Sequence, residues 1–545
     1  MHGRFLFRLY CFIFFIILHV SGQIDKDDSL AVRAILDSNH VVYVSVDDVT
    51  HTSSSTNRVC ELDLCSNDFC ITVIPKEIGK LDALEKCDLS NNQLKSLPPE
   101  IGNLENCLEL RVNNNLIETL PPEIGAMISL QLLSLRNNRL TTLPKEIGNL
   151  HNLRELSFGG NQLTDLPSEI NGLVNLDRVY LELNKFTKLP IVVCSLPKLR
   201  VIDMQGNSLT TFPPEIGSMQ NLKWLFAMDN KITSLPPEIG NCTVLEWLNL
   251  TNNALMNLPD EIGNLKNLEK LDLNNNAITV LPAGIGNSSS LSTLELGDNN
   301  LSDLPAEMAQ LDTLLYLDLY NNQFDTFPQA VCGMKNLEQL DLCGNNLKTL
   351  PSEIGNITTL KRLWLDSNAL EMLPPEISTL DSLELLYVKA NNLTTFPDEI
   401  VRLNPQGFIK KTQTGWIKVI GLNVGYNKLT NLSPELVAWL DEWDVDWKET
   451  QEVTPIDLFP LVTTESNYSL FFRKSHLQFH VPEAGKVLLQ LLDMRGRILE
   501  TLVDSYMQEG YFTIPCNLQQ LGTGWYLCSL SHGLKAEVCK ISIVK

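Results

Sequence analysis

Apolar residues recur along most of this chain with a fixed spacing. From about residue 58 to residue 440, segments such as Leu268 to Ile278 alternate leucine with polar residues around a Leu-x-Leu core. Such alternation is typical of a short strand whose leucines point inward and whose variable residues point outward. Prolines from Pro75 to Pro397 and asparagines from Asn92 to Asn391 mark the same 23-residue period without a gap. The pattern predicts stacked copies of one strand, paired as a parallel sheet.

The residues between the strands predict a buried turn and a short return path. The asparagine after each strand carries two donors and an acceptor, so its amide can bond the backbone of the turn. Without that amide, each orphaned group would cost about 1–3 kcal/mol. Leu97 to Gly102 then reads Leu-Pro-Pro-Glu-Ile-Gly, in which proline suits a first helical position and glutamate the first turn. We expect a short helical or 3₁₀ segment there.

The whole motif, LxxLxLxxNxL with a 23-residue period, resembles the leucine-rich repeat. This resemblance covers about residues 58 to 440. It implies an α/β leucine-rich-repeat solenoid, a horseshoe with a parallel β-sheet of about sixteen strands on its concave face. Residues 23–59 are predicted to form an N-terminal cap, and residues 60–447 the solenoid with its C-terminal cap.

Both ends of the solenoid depart from the repeat. In the N-terminal cap we expect a helix over Asp28 to Asn39 and a strand over Val41 to Val46. Near the other end, the proline spacing rises from 23 to 37, which indicates an insertion over about residues 404–418. Residues 435–447 then predict a helix with Trp439, Trp443 and Trp447 on one face. That face either covers the exposed core of the last repeat or binds a ligand.

The first 22 residues have the features of a secretory signal peptide. Arg4 and Arg8 precede an apolar stretch from Leu9 to Val20, and Ser21 and Gly22 suit cleavage. The stretch is short for a membrane span, which needs about 20 apolar residues. We expect a cleaved signal, with a retained anchor as the alternative, and no transmembrane span in the mature chain.

The end of the chain predicts a second domain. Residues 448–465 read as a linker, and residues 466–545 as short strands of an all-β sandwich. This domain resembles the C-terminal sorting domain of the type IX secretion system, in which a Pro-Glu-x-Gly strand end precedes an Asp-x-x-Gly-Lys/Arg strand end. The residues that carry the resemblance are Pro482, Glu483, Gly485, Asp493, Gly496, Arg497, Gly524, Tyr526 and Lys545.

The sorting-domain resemblance implies a route and a location. Such domains direct a passenger across the outer membrane of a Gram-negative bacterium, where a sortase removes the domain. Residues 466–545 would therefore bind the type IX machinery and the sortase. The passenger would be secreted or attached to the outer-membrane surface.

Charge and chemistry narrow the function further. The chain has 42 Lys+Arg and 65 Asp+Glu, and its formal charge of −23 argues against nucleic acid and against a polybasic membrane surface. No nucleophile elbow, phosphate loop or HExxH motif is present. Cys60, Cys65 and Cys70 lack zinc-ligand spacing, and their disulfide state stays open. We predict no catalytic residues, no cofactor and no metal site.

The outward positions of the strands define the candidate binding residues. Exposed aromatic residues are enriched at binding hot spots, and acidic residues beside them attract basic groups. Surface drift without a function is the alternative. The aromatic candidates are Tyr180, Trp224, Phe226, Trp247, Tyr316, Tyr320 and Trp364. The acidic candidates are Asp272, Glu295, Asp318 and Asp341.

These observations predict an exported, non-enzymatic leucine-rich-repeat protein that binds a protein or glycan partner on its concave face. Two alternatives stay open. One is an intracellular signalling scaffold, since similar 23-residue repeats occur in such proteins. The other is a secreted enzyme whose repeats bind the substrate.

Overall fold

The computed structural model describes most of the repeat region and the strands of the C-terminal domain. The described residues are 24–65, 70–412, 415–419, 421–430, 432–444, 446–451, 470–473, 476–481, 485–493, 498–507, 510–515, 524–532 and 535–543. The predicted signal peptide and residues 452–465 of the predicted linker lie outside them. The chain forms two compact units, residues 1–295 and residues 296–545.

The first unit begins with a cap that matches the predicted helix. Helix α1 (Lys26–Ser38) starts at Asp25, whose carboxylate accepts hydrogen bonds from two backbone amides of the first turn. Its apolar face buries Val32 and Leu36 completely. The cap is tied to the first repeat through Asp28, a fully buried carboxylate that accepts from the guanidinium of Arg58 at 2.8 and 2.9 Å.

The predicted strand over Val41 to Val46 is wrong. The cap instead has β1 (Thr50–Thr52), which pairs antiparallel with β2 (Val59–Asp63). The guanidinium of Arg33 donates hydrogen bonds to the carbonyls of Val41 and Val44, so these groups are withdrawn from strand pairing. A side chain from the helix therefore overrides the local β propensity.

Ten repeat strands follow β2 in the first unit, each three residues long. Each pairs in parallel with the described strand 23 residues away, and its middle residue is buried. The strands are β3 (Lys86–Asp88), β4 (Glu109–Arg111), β5 (Leu132–Ser134), β6 (Glu155–Ser157), β7 (Arg178–Tyr180), β8 (Val201–Asp203), β9 (Trp224–Phe226), β10 (Trp247–Asn249), β11 (Lys270–Asp272) and β12 (Thr293–Glu295).

The asparagine ladder has the predicted role. The Nδ2 of Asn161 donates to the carbonyls of Leu135 and Phe158, both at 2.9 Å, and its Oδ1 accepts from the amide of Leu140 at 2.9 Å. The side chain is buried, and it joins two successive repeats. One side-chain amide therefore satisfies backbone groups that have no partner in the sheet.

The return segments are short, as expected, but the repeat proline lies outside them. Pro98 precedes the segment with an extended backbone, φ −71° and ψ 154°, and Pro99 takes the first helical position. One return segment in the described part of the first unit is α-helical, namely α2 (Ile191–Cys194). The 3₁₀ segments of this unit are Lys76–Lys80, Pro99–Asn103, Pro122–Ala126, Lys145–Asn149, Ser168–Gly172, Pro214–Ser218, Pro237–Asn241, Asp260–Asn264 and Ala283–Asn287.

The second unit continues the same repeat and contains the insertion as a hairpin. Its 3₁₀ segments are Ala306–Gln310, Gln329–Gly333, Ser352–Asn356, Pro375–Thr379 and Asp398–Arg402. Its repeat strands are β13 (Tyr316–Asp318), β14 (Gln339–Asp341), β15 (Arg362–Trp364) and β16 (Leu385–Tyr387). The hairpin strands β17 (Phe408–Thr412) and β18 (Gly415–Val419) pair antiparallel, and β16 pairs with β19 (Leu422–Asn423) beyond them.

The parallel strands therefore number eleven in the described part of the first unit and five in that of the second. This agrees with the predicted sixteen. The insertion leaves the repeat intact because the chain leaves after β16 and returns at the same place in the stack: the amide of Leu386 donates to the carbonyl of Gly421 at 2.7 Å.

The predicted C-terminal helix is two helices. Helix α3 (Pro434–Trp443) ends where Asp444, a buried carboxylate, accepts from the amide of Val424 at 2.7 Å, and α4 (Trp447–Thr450) follows. The three indoles therefore do not share one helical face. Trp439 lies against the ring of Phe396, with centroids 6.3 Å apart, and donates to the carbonyl of Leu403 at 3.0 Å. This packing supports the interpretation of α3 as a cover for the last repeats.

The described residues of the C-terminal domain form β-strands, as predicted. One antiparallel sheet contains β20 (Leu470–Arg473), β21 (His476–Val481) and β24 (Gly510–Pro515). The other contains β22 (Gly485–Asp493), β23 (Ile498–Met507), β25 (Gly524–His532) and β26 (Lys535–Ile543).

Some of the residues on which the sorting-domain prediction rests lie on these strands. Gly485 begins β22 and Asp493 ends it, while Gly524 and Tyr526 are in β25. The other signature residues, namely Pro482, Glu483, Gly496, Arg497 and Lys545, lie outside the described residues. In the described part of the chain, no helix combines the length and the apolar character that a membrane span requires.

Candidate binding surface

The aromatic candidates of β9 and β10 form one patch. Trp224 and Trp247 are paired across the two strands, and Phe226 stands two residues after Trp224. The ring of Phe226 meets that of Trp247 edge-on, with centroids 4.9 Å apart and an interplanar angle of 89°. Trp224 stays 43% exposed. We call these three residues the aromatic patch.

Polar neighbours fix the position of Trp247 in the aromatic patch. The indole nitrogen of Trp247 donates to Oδ2 of Asp272 at 2.8 Å, and the amide of Asn249 donates to the same oxygen at 3.0 Å. The ammonium of Lys270 lies 5.0 Å from the centroid of the Trp247 ring, within cation–π range. Trp247 is therefore held in one orientation before any partner arrives.

The acidic candidates of β11 and β12, Asp272 and Glu295, both form ion pairs with Lys270. The ammonium of Lys270 lies 3.2 Å from Oδ1 of Asp272 and 3.1 Å from Oε1 of Glu295. Asp272 is only 2% exposed, and burial together with the charge of Glu295 raises its pKa to about 6. Burial would lower the pKa of Lys270, yet the two carboxylates raise it. Asp272 therefore supports Trp247 more than it presents a charge to solvent.

Tyr180 belongs to a second cluster. The guanidinium of Arg136 lies 5.6 Å from the centroid of the Tyr180 ring and pairs with the carboxylate of Glu182. That carboxylate occupies the space above Gly159, where a Cβ atom would collide with it. Burial raises the pKa of the neighbouring Asp203 to about 6. Arg136 and Glu182 were not among the sequence candidates.

The remaining candidates lie in the second unit. Tyr316 begins β13, and Asp318, Asp341 and Trp364 occupy the same position of β13, β14 and β15. Asp318 is buried, and its Oδ1 accepts from the amide of Tyr320 at 3.1 Å. Burial raises the pKa of Asp341. These two acids are thus held within the strand face.

Tyr320 crosses over to the previous repeat of the second unit. Its ring fills the space above Gly297, and its hydroxyl donates to Oδ2 of Asp298 at 2.5 Å. Burial, followed by the hydrogen bond to Asp298 and the charge of that carboxylate, raises the pKa of Tyr320. Gly297 and Gly159 stand at the same repeat position, so a glycine there marks the place where the next side chain leans over. This signal is visible in the sequence and locates both clusters.

One group of side chains in the described residues has the spacing of metal ligands. A carboxylate oxygen of Asp63, one of Asp88 and the sulfur of Cys65 lie within 4.8 Å of one another. The amide of Asn91 donates to that sulfur at 2.9 Å, and Asp63 accepts from the backbone amide of Cys65 at 2.9 Å. Asp88 accepts from the backbone amide of Ser90 at 2.9 Å, so each of the three groups already accepts a hydrogen bond from the protein. Cys60, Cys65 and Cys70 are free thiols.

A stack of short parallel strands with outward aromatic residues defines a solenoid protein that binds through its repeats. The leucine-rich repeat region family matches residues 123–225 and 191–276. Two leucine rich repeat families match residues 289–347, and residues 83–104 and 267–288. The chain belongs to the leucine-rich-repeat family, whose members are typically non-enzymatic binding scaffolds.

Solved structures agree with this assignment. A leucine-rich-repeat protein of Leptospira interrogans is 36% identical, with a TM-score of 0.62; the match covers 71% of this chain and 94% of that chain. The plant peptide hormone receptor RGFR1, solved in complex with RGF2, is 29% identical over 67% of this chain and 66% of that chain, with a TM-score of 0.52. InlJ of Listeria monocytogenes shares the fold at 22% identity over 62% of this chain and 69% of that chain, with a TM-score of 0.51. The search of curated proteins gives no significant match.

Proposed function

We propose that this chain is an exported binding protein whose aromatic patch recognises a protein partner, with a glycan as the alternative ligand. The observation that carries the proposal is a large exposed indole, Trp224, beside the immobilised ring of Trp247. An anchor that is already ordered loses little conformational entropy on binding, so more of the contact energy appears as affinity. The similar plant receptor, which is described with a bound peptide hormone, supports a protein ligand.

The patch is the part of the strand face best suited to a hot spot. Aromatic residues supply large apolar contacts, and hot spots cluster in such groups. Asp272 and Glu295 are already paired with Lys270, so apolar contact and the indole face supply the attraction there. A partner that binds here must cover Trp224 from solvent.

Alanine at Trp224 should weaken partner binding by about 1–2 kcal/mol, because the exposed indole is lost while its support stays in place. The measurement is a ligand screen with the full chain, using protein and glycan libraries, followed by the dissociation constants of the variants. Trp247→Phe keeps the ring but removes the donor to Asp272, so it tests the contribution of the ordered geometry. Met256→Ala is the matched control, since Met256 is 58% exposed and lies outside the strands. Equal affinity for wild type and Trp224→Ala would exclude the aromatic patch.

We further propose that the chain leaves the cell by the type IX route and is released or held at the outer-membrane surface. The features that support this are the signal-like first 22 residues, the all-β C-terminal domain and its sorting-domain motif. The intracellular scaffold predicts instead that the full chain remains in the cytosol. An enzyme with substrate-binding repeats predicts turnover of a bound ligand.

Deletion of residues 466–545 should trap the repeat region in the periplasm, because the sorting signal is then missing while the first export step is intact. Cell fractionation and surface labelling with an internal epitope tag measure this. The tagged full-length chain is the control, and protease resistance of the trapped form shows that the repeats still fold. Surface display of the deletion variant at the wild-type level would contradict the type IX route.

A further inference from the structure

A cavity of about 470 Å³ opens beside the first residues of β6, β7 and β8. Some of its lining residues directly precede these strands, and the others stand at the matching position two residues earlier in successive repeats. The lining residues are Arg154, Asp177, Arg200, Asn175, Lys198 and Asn221. Three cations and one carboxylate make this a positive region in a chain whose formal charge is −23.

Two acceptor side chains of the cavity, Asp177 and Asn175, are already occupied. Nη2 of Arg200 lies 2.6 Å from Oδ2 of Asp177, and its Nε bonds the other oxygen. This pairing lowers the pKa of Asp177, so the carboxylate stays charged and bound. Oδ1 of Asn175 accepts from Lys198 at 2.7 Å. The cavity therefore offers little to a cation.

Several donors remain without an acceptor. A lysine ammonium has three N–H groups, and Lys198 uses one of them on Asn175. Among the described residues, the guanidinium of Arg154 has no hydrogen-bond or ion-pair partner, although its charge acts on the nearby Asp177. A guanidinium fork matches two oxygens of one phosphate or sulfate group, and an ammonium adds a third contact.

We propose that this cavity binds an oxoanion, namely a phosphate or sulfate ester on a sugar, or the free anion. The volume falls in the range of small-molecule sites, about 300–1,000 Å³, so a monosaccharide ring fits with its ester. The amide of Trp224 donates to the carbonyl of Arg200 at 3.0 Å, so the cavity adjoins the aromatic patch. The proposal does not depend on which partner covers that patch.

Isothermal titration of the full chain tests the site with three probes: inorganic phosphate, glucose 6-phosphate and glucose. Both phosphates are expected to bind and glucose is not, with affinity falling as sodium chloride is raised. Tighter binding of glucose 6-phosphate would support a sugar ester as the ligand, and equal affinities would support the free anion. Failure of both phosphates to bind at millimolar concentration would overturn the proposal.

Variants separate this cavity from general charge attraction. Arg154→Gln and Lys198→Gln should each raise the dissociation constant about tenfold. The matched control is Lys185→Gln: Lys185 is exposed and donates to Gln162 at 2.9 Å, in the same way that Lys198 donates to Asn175. Thermal melts verify that all three variants fold. An effect of Lys185→Gln equal to that of Lys198→Gln would also overturn the proposal.

Discussion

Replacing Asn161 by alanine is expected to lower the free energy of unfolding by about 3 kcal/mol or more. The amide satisfies two carbonyls and one backbone N–H at 2.9 Å, on Leu135, Phe158 and Leu140. Alanine leaves the N–H of Leu140 without a partner, which costs about 1–3 kcal/mol. It also removes one of the two amide donors of each carbonyl, at about 1 kcal/mol each, because Leu135 still accepts from Asn138 and Phe158 from Asn184. Urea denaturation followed by circular dichroism measures the change.

The control for this substitution is Asn152→Ala. Asn152 is exposed and makes one bond, from Nδ2 to the carbonyl of Ile128 at 2.8 Å. Its loss should cost about 1 kcal/mol, because water can replace the amide. A fall in the slope of the urea transition for Asn161→Ala would indicate that the stack now opens in parts, as one-dimensional repeat arrays do. Equal effects of the two substitutions would contradict the assigned role of the asparagine ladder.

The repeat strands and the asparagine ladder follow from the sequence because each repeat contacts mainly its neighbours. A residue at one repeat position meets the same kind of environment 23 residues later, so one period predicts them all. The cap lacks this regularity. Its predicted strand over Val41 to Val46 fails because Arg33 bonds the carbonyls that a neighbouring strand would need. Likewise, the long C-terminal helix fails because Asp444 is bonded to Val424.

The sequence predicted which residues of the candidate site lie at outward strand positions, but it did not predict their side-chain contacts. Outward positions follow from alternation, so the pairing of Trp224 with Trp247 could be foreseen. The state of Asp272 could not, since its burial depends on the indole and the lysine that enclose it. The formal charge of the whole chain, −23, does not predict the charge of individual surfaces either. Residues 23–465 carry a formal charge of −27, yet the cavity at Arg154 is positive.

The contact between Arg136 and Glu182 shows why such pairs escape a search by neighbouring repeats. The two residues lie 46 positions apart, which is two repeats, and the ion pair passes over the repeat between them. It can do so because Gly159 has no side chain at that point. A glycine at an outward strand position therefore indicates that side chains of the repeats on either side of it can meet above it.

Arg136→Met should lower the free energy of unfolding by about 2 kcal/mol at pH 7.5. The side chain of Glu182 is only 9% exposed, and removing its cation leaves a charge that is largely desolvated. Loss of one partner from a fully buried pair costs about 3–5 kcal/mol, and we reduce this because Arg136 is 43% exposed. Thermal and urea melts of the full chain measure the difference.

The second substitution of the cycle is Glu182→Gln. In the Arg136→Met background it should restore most of the lost stability, because the uncompensated charge is gone. The penalty of Arg136→Met should also shrink at pH 5. The direction of this pH dependence follows from Asp203, because burial raises its pKa in the folded protein to about 6, above its ordinary value. The stability that Asp203 contributes is therefore fully present at low pH and is lost as pH rises through about 6. Without Arg136, whose charge lowers that pKa, the loss at pH 7.5 becomes larger. A penalty of Arg136→Met that is independent of pH and is not rescued by Glu182→Gln would assign its effect to lost packing on Tyr180 instead.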